Sequence, residues 1–325
     1  MPESKSRISG FGAYVPEKVL NNADLEKMVD TSNEWIVQRT GIHERRIADA
    51  ATFASDLAIK AVEDLVSRNS IDISDVDLVI VTSFTPDHFT PTISGLVQGH
   101  FGIKGAGSFD LNSGCTGFAY AVSTADALIT AGVNKKILIV AAEMLSKIVD
   151  YEDRSTCILF GDGAAACVLE RTEDAGSVLA RHFETDGDLA HYVYCGNQSD
   201  TVQGMKLERQ NIFGQNGQQV YKYVMKHVPD GFAQLLANAN ITGDDIDWFI
   251  PHSANMRIIQ ALGSRLSMPD EKTLTSIECF GNTSSASIPL ALWLAQKEGK
   301  LNQGDLLVMY GFGGGLTHGG VVVRI

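Results

Sequence analysis

The feature that most constrains this chain is an order of segments that occurs twice. Asp75-Val76-Asp77-Leu78-Val79-Ile80 is echoed by Asp245-Ile246-Asp247-Trp248-Phe249-Ile250, an offset of 170 residues, and each follows an amphipathic helical stretch and a polar turn. Gly114-Cys115-Thr116 is echoed at an offset of 167 by Gly281-Asn282-Thr283, each after a β-like stretch and before an apolar helical one. Ala131-Gly132 and Glu298-Gly299, at the ends of those helical stretches, keep the offset of 167. Three echoes in order at nearly one offset predict an internal duplication. Two similar α/β halves, residues 1–172 and 173–325, would join in the charged stretch Glu170 to Gly176. The loop-rich region Thr185 to Gly217 reads as an insertion in the second half.

Asp77 to Thr82 and Lys136 to Ala141 are continuous β-rich runs of the kind expected for central strands buried on both faces. Ala54 to Arg68 carries Leu57, Ala61, Val62 and Leu65 at helical spacing, whereas Thr116 to Ala131 is apolar on most faces and reads as a buried helix. Mixed sheets with helices on both faces, and one helix layer shared between the halves, would bury both apolar helices.

Composition excludes several classes. A net charge of −13 lacks the basic face that phosphate contacts need, which argues against a nucleic-acid partner. Met1 to Arg7 is polar with no apolar run behind it, so no secretory signal is expected. Apolar runs such as Leu78 to Val81 and Ile137 to Ala142 fall far short of the roughly 18 residues of a membrane span. Five cysteines without CxxC or CxxH pairs argue against a disulfide framework or a metal site. The expectation is a soluble cytoplasmic protein with reduced thiols.

Cys115 lies among small residues between a strand and a buried helix. Its sulfur is reachable there, and unpaired N–H groups at the helix start favour the nucleophilic thiolate. A packed core thiol is the other reading, and it is the one adopted for Cys157, Cys167, Cys195 and Cys279. His252 ends the strand of the second copy, where α/β sheets build their sites. Asn282 occupies the position taken to mirror Cys115, so a pseudo-twofold axis would bring its amide to the thiol; otherwise it is a helix cap. The run Gly311-Phe312-Gly313-Gly314-Gly315 is no dinucleotide fingerprint, because Leu316 stands where the last glycine is required. It suits backbone N–H groups approaching a reacting oxygen.

Taken together, several segments resemble the β-ketoacyl-acyl-carrier-protein synthases III of the thiolase fold over essentially the whole chain. They are Asp30-Thr31-Ser32-Asn33-Glu34-Trp35-Ile36 with Arg39-Thr40-Gly41-Ile42, Gly114-Cys115-Thr116-Gly117, Phe160-Gly161-Asp162-Gly163-Ala164, His252-Ser253-Ala254-Asn255, Gly281-Asn282-Thr283-Ser284 and the C-terminal glycine run. The resemblance implies a thiolase-like duplicated five-layer αβαβα fold, a homodimer, and the decarboxylating Claisen condensation that initiates fatty-acid synthesis. It implies Cys115 as the acyl acceptor, with its own N–H and that of Gly314 as oxyanion hole. His252 and Asn282 would hold the thioester carbonyl of malonyl-acyl carrier protein. An acyl-CoA thioester is then a substrate, and no cofactor is permanently bound. Trp35, Arg39, Arg154 and Asn255 match positions at the coenzyme A nucleotide. Ser253, Ala254, Asn255, Met256 and Arg257, with Lys222, match contacts to the carrier protein; Lys226 and Arg265 would complete a basic rim for that acidic partner.

Departures from the family pattern bear on specificity. Thr90 stands where a Phe is common in the acyl pocket, with Leu145 and Phe160 as other walls, so a branched or longer primer than acetyl is expected. Ser253 replaces a usual Gln, as in a branch of second paralogues, and His318 replaces a usual Trp without an evident role. Two rivals share the Cys, His, Asn set: a papain-like cysteine hydrolase, and a thiolase-fold ketosynthase or acyltransferase of secondary metabolism.

Overall fold

The computed structural model describes residues 2–207 and 209–325. Ser6–Tyr14 (β1), Leu78–Thr82 (β2), Gly107–Leu111 (β3), Lys136–Met144 (β4) and Asp162–Arg171 (β5) form one sheet in the order β1-β5-β4-β2-β3. The β4-β2 and β2-β3 pairs are parallel, and β5 and β1 add antiparallel. Val178–Thr185 (β6), Trp248–Pro251 (β7), Leu306–Gly313 (β8) and Thr317–Arg324 (β9) form a second sheet, β7-β8-β9-β6, with the same sequence of strand senses. A single parallel bridge from Phe249 to Thr273 stands where the first sheet has its fifth strand. Leu78 pairs with Ile137 and Trp248 with Leu307, each residue of the second pair 170 positions beyond its counterpart.

Among the described residues seven helices of eight residues or more accompany these sheets: Asn33–Thr40 (α1), Ala54–Asn69 (α2), Ile93–His100 (α3), Gly117–Thr130 (α4), Gly217–Ala239 (α5), Met256–Leu266 (α6) and Ser287–Lys297 (α7). Successive strand residues point to opposite faces, so each central strand feeds two cores. Val79, Val81, Leu138 and Val140 pack outward beneath α2 and α3. Ile80, Ile137 and Ile139 face inward onto α4, and Leu307 and Met309 of the second sheet face the same layer from the other side. Phe118, Val122 and Ile129 of α4 and Ile288 and Leu292 of α7 are wholly buried between the sheets. The outer face of the second sheet, with Val308 and Tyr310, is closed by α5 and α6. Helices, sheet, shared helices, sheet and helices make the duplicated five-layer αβαβα fold.

One detail of the duplication differs from the sequence expectation. Each central helix is preceded by a 3-10 turn, Gly114–Thr116 before α4 and Ser284–Ala286 before α7. The first residue of each turn has positive φ, +49° at Gly114 and +50° at Ser284. The mirror of Cys115 is therefore Ser285, and Asn282 lies three residues ahead of it. The offset falls from 170 to 167 only at the helix ends, because α7 has 11 residues and α4 has 14.

Candidate active site

Cys115, His252 and Asn282 line one cavity of about 840 Å³, together with Gly313 and Gly314. Cys115 sits in the turn that carries the chain from β3 into α4. His252 follows β7, its N–H donating to the Tyr310 carbonyl at 2.9 Å. The Asn282 N–H donates to the Leu159 carbonyl at 2.8 Å, and its own carbonyl accepts the Gly161 N–H at 3.1 Å. The Phe160-Gly161 segment of the first half thus grips the asparagine of the second. At Gly313 a Cβ would come within 2.9 Å of the Cys115 sulfur, so only glycine lets β8 pass the thiol.

The imidazole is fully buried, and burial pushes its pKa down to about 3, which keeps it neutral. Its Nδ1 lies 2.7 Å from Ser287 Oγ, which also accepts the Ser253 N–H at 3.3 Å. With that amide on the hydroxyl oxygen, the Ser287 proton is directed to Nδ1, and Nε2–H is left as the donor facing the cavity; the tautomer is assigned from this network. Asn282 Oδ1 accepts the Ser284 N–H at 2.8 Å, which turns the amide nitrogen toward the cavity. In a papain-like hydrolase the carboxamide would orient the imidazole. Here Ser287 does so and the asparagine oxygen is engaged elsewhere, so the arrangement rejects that rival.

At Cys115 burial opposes the thiolate that a helix start favours. Burial pushes the Cys115 thiol up to about 12, outweighing the Ser284 hydroxyl at 3.5 Å, while the buried Glu143 pushes it further in the same direction.

Trp35, Arg39 and Arg154 are not among the residues lining the cavity; the Trp35 ring is flanked by two guanidinium groups, Arg154 at 4.9 Å and Arg39 at 5.8 Å from its centroid. Arg154 also meets Asp30 at 3.5 Å. Asn255 is half-buried: its Oδ1 caps α6 through the Arg257 N–H at 2.9 Å, and its Nδ2 donates to the Arg39 carbonyl at 3.0 Å. Both ends of the carboxamide lock α6 to α1. Ser253 is buried and accepts the Ser276 N–H at 3.1 Å, so it cannot touch a carrier protein. Met256 packs against Gly41, and Ala254 faces the cavity. Arg257, Lys222 and Lys226 are exposed, and Arg265 donates to the Met225 carbonyl at 2.6 Å.

Thr90 and Phe160 line the cavity, but Leu145 does not. It is buried in a cluster with Leu25, Ile36, Ile158 and the cavity-lining Phe160. Other walls come from positions that sequence reasoning missed: Phe84, Ile148, Val193, Tyr194 and Phe213. Cys195, read as a core thiol, also lines the cavity. Its place in the Thr185 to Gly217 insertion was the available signal, since long insertions beside a site supply its walls. His318 is buried outside the cavity with Nδ1 2.9 Å from the Tyr310 hydroxyl, and burial pushes its pKa down to about 4. Among the described residues no helix is long and apolar enough to cross a membrane.

Two fused α/β halves that meet over a cavity-facing cysteine define an acyl-transferring condensing enzyme of the thiolase fold. Family models described as 3-oxoacyl-[acyl-carrier-protein] synthase III match residues 109–187, and, for its C-terminal part, residues 236–325. The chain is 51% identical over 321 residues to β-ketoacyl-[acyl-carrier-protein] synthase III 2 of Bacillus cereus, covering 99% of this chain and 98% of that one. Among solved structures, the β-ketoacyl-[acyl carrier protein] synthase III of Thermus thermophilus superposes with a TM-score of 0.95 at 42% identity, covering 98% of this chain and 99% of that one. The priming β-ketosynthase of the R1128 polyketide pathway gives 0.91 at 31% identity, covering 100% and 98%. The chain belongs to the 3-oxoacyl-[acyl-carrier-protein] synthase III family.

Proposed function

We propose that this condensing enzyme joins an acyl-CoA primer to malonyl-acyl carrier protein and so initiates fatty-acid synthesis, with residues 1–172 carrying the nucleophile and residues 173–325 the imidazole and carboxamide. The observation that carries the reading is the convergence of Cys115, neutral His252 and Asn282 on one cavity.

The adenine of coenzyme A stacks on Trp35 between Arg39 and Arg154, and the pantetheine arm descends to Cys115. The sulfur attacks the thioester carbonyl, whose oxygen becomes an oxyanion held by the N–H groups of Cys115 and Gly314. Coenzyme A leaves and the acyl group stays on Cys115. Malonyl-acyl carrier protein then docks over Arg257 and Lys222, whose charge suits an acidic partner. His252 Nε2–H and Asn282 Nδ2–H bond its thioester carbonyl, stabilise the enolate formed as carbon dioxide departs, and hold it for attack on the acyl-Cys115 carbonyl. Each donor of this kind is worth roughly 2.7–4 kcal/mol. A neutral imidazole suits the task because it donates without adding a charge that would bind the malonyl carboxylate and oppose its loss.

The small Thr90 side chain at the cavity wall supports a primer that is branched or longer than acetyl. β3 is paired on one side only and exposes Gly107, Ser108 and Phe109, an edge suited to pairing with a second copy in a homodimer. Free thiols at all five cysteines suit the reducing cytoplasm. The likeness to a polyketide priming enzyme favours a second reading, the start of a secondary metabolite by the same chemistry.

The test is product analysis with malonyl-acyl carrier protein and a panel of acyl-CoA primers, with Cys115→Ser as control. One carbon dioxide per β-ketoacyl product, with higher kcat/KM for isobutyryl-CoA than acetyl-CoA, is expected. A strong acetyl preference sinks the primer assignment, and acyl transfer without decarboxylation sinks the condensation.

A further inference from the structure

Glu143 is a carboxyl group that the condensation above leaves unused. It lies near the end of β4, wholly buried. Its partners are hydroxyls and one backbone amide rather than a cation: Ser285 Oγ at 2.7 Å, Thr85 Oγ1 at 2.8 Å, the Phe84 N–H at 3.2 Å and Ser83 Oγ at 3.3 Å. Such a shell solvates a carboxylate without neutralising it. Between this carboxyl and the nucleophile stands Ser284, wholly buried as well. Its hydroxyl is 3.5 Å from the Cys115 sulfur, and the same side chain reaches toward Glu143.

The backbone marks Ser284 as unusual. Its φ of +50° is left-handed, a conformation that strains serine and not glycine. At the mirrored position stands Gly114, with φ +49°. A residue held in a disfavoured conformation where its counterpart is glycine points to a use for its side chain.

We propose that Ser284 and Glu143 are the proton path of the nucleophile. As the Cys115 sulfur bonds to the thioester carbonyl, its S–H bond breaks; the thiol proton passes to Ser284 Oγ while the Ser284 proton passes to the Glu143 carboxylate. The adduct collapses, its carbon–sulfur bond to coenzyme A breaks, and the departing thiolate takes a proton from solvent. Glu143 keeps its proton, away from water, for the life of the acyl-enzyme. When the enolate has attacked and the second adduct releases Cys115 as thiolate, Glu143 returns the proton through Ser284. The cycle consumes one solvent proton, on coenzyme A, as loss of carbon dioxide from a carboxylate requires. Burial raises Glu143 to about 7 and Cys115 to about 12, so in the resting site the thiol is protonated beside a carboxyl group that exchanges protons near neutrality. Ser284 touches the reacting sulfur; Glu143 acts through it and is a positioning residue.

The path rests on Cys115 as acyl acceptor, which mass spectrometry of the acylated Cys115 peptide in the unaltered enzyme tests separately. Acylation is followed alone, as coenzyme A released in a single turnover from acyl-CoA without carrier protein. Ser284→Gly relieves the strained backbone, so a Tm at or above that of the unaltered enzyme is expected, with acylation slowed roughly 100-fold and its solvent isotope effect lost. Glu143→Gln is expected to slow acylation similarly, with at least tenfold less loss in malonyl-carrier-protein decarboxylation. Acylation by Ser284→Gly within threefold of the unaltered enzyme, an undiminished isotope effect, or equal losses in both half-reactions overturns the path. If Glu143→Gln does not fold, Ser284→Gly decides.

Discussion

The turns Gly114–Thr116 and Ser284–Ala286 are one backbone built twice and put to two uses. Each opens with a left-handed residue, and each is closed by the first N–H of the following helix donating back to that residue's carbonyl. They differ in what the middle residue meets. Cys115 faces the cavity against Gly313. Ser285 turns inward and donates to Glu143 at 2.7 Å, wholly buried. The duplicated fold supplies equivalent helix starts around one pocket; in the condensation proposed above, the covalent bond is made from the first half, and developing negative charge is met from the second by His252 and Asn282.

The sharpest way to break this comparison is to erase the two middle residues in turn. Cys115→Ala is expected to abolish acylation, by roughly 10³-fold or more, measured as loss of acyl label on the protein. Ser285→Ala leaves the nucleophile in place and removes a donor from a buried carboxyl, so it is expected to cost roughly 1–3 kcal/mol of stability, read in denaturant melts. Equal effects on acylation would mean that the two turns are not functionally distinct.

Next in size is the division between half-reactions. Removing the Asn282 amide with Asn282→Ala is expected to slow condensation by roughly 10²–10³-fold while acylation from acyl-CoA falls far less. Because burial keeps His252 neutral down to about pH 3, decarboxylation of malonyl-carrier protein is expected to show no inflection at the ordinary histidine value of 6.5. Rate against pH between 5 and 8 in a conformationally stable buffer series checks it.

How far this division was legible depended on what local sequence encodes. Leu78 to Val81 and Ile137 to Val140 declared themselves as central strands because burial on both faces removes every polar residue from the run. The helices α4 and α7 were visible for the same reason, lying between two sheets. Cys115 and His252 stood out because small neighbours and a strand end are local signals. The mirror of Cys115 was misplaced because echoes fix an offset only where no residues are gained or lost, and α7 ends three residues short of α4. Ser253 and Leu145 lie elsewhere than expected for a different reason. A sequence names a polar or apolar side chain but not the direction in which a turn aims it, and here both are buried in the protein. Glu143 did carry a signal, a lone carboxylate in the apolar run from Ile137 to Met144, which is affordable only with a dedicated set of donors.

That carboxylate sharpens the comparison through pH. Burial raises Glu143 from 4.5 to about 7, so the folded protein binds a proton that the unfolded chain has released. The sign follows: this stabilising proton is fully bound in the fold below pH 4.5 and is lost as pH rises through about 7. Relative to Glu143→Gln, the unaltered enzyme is therefore expected to lose stability from pH 5 to pH 8, by up to roughly 3 kcal/mol. Parallel urea midpoints at the two pH values measure it, and identical pH slopes would remove the charge from Glu143.

The smallest effect tests whether the two halves are equivalent where neither does chemistry. Helices α4 and α7 end in the same way. Gly132 and Gly299 follow the last turns with φ of +76° and +68°, and their N–H groups donate to Ile129 and Gln296 carbonyls at 2.9 and 3.1 Å. The next N–H groups, of Val133 and Lys300, reach back to Leu128 and Ala295, both at 2.9 Å, completing the six-to-one bond of a Schellman ending. A Cβ added at either glycine meets nothing within 4 Å, so the cost of alanine is conformational alone, about 1–2 kcal/mol for left-handed backbone. Reduced freedom of the unfolded chain offsets roughly 0.4–1 kcal/mol of that. Gly132→Ala and Gly299→Ala are thus expected to destabilise equally, by about 1 kcal/mol, with acylation and condensation unchanged. Equal shifts of the denaturation midpoint would mean that the duplication persists as backbone geometry. A clear inequality would mean that the halves have diverged in their helix ends as well as in their chemistry.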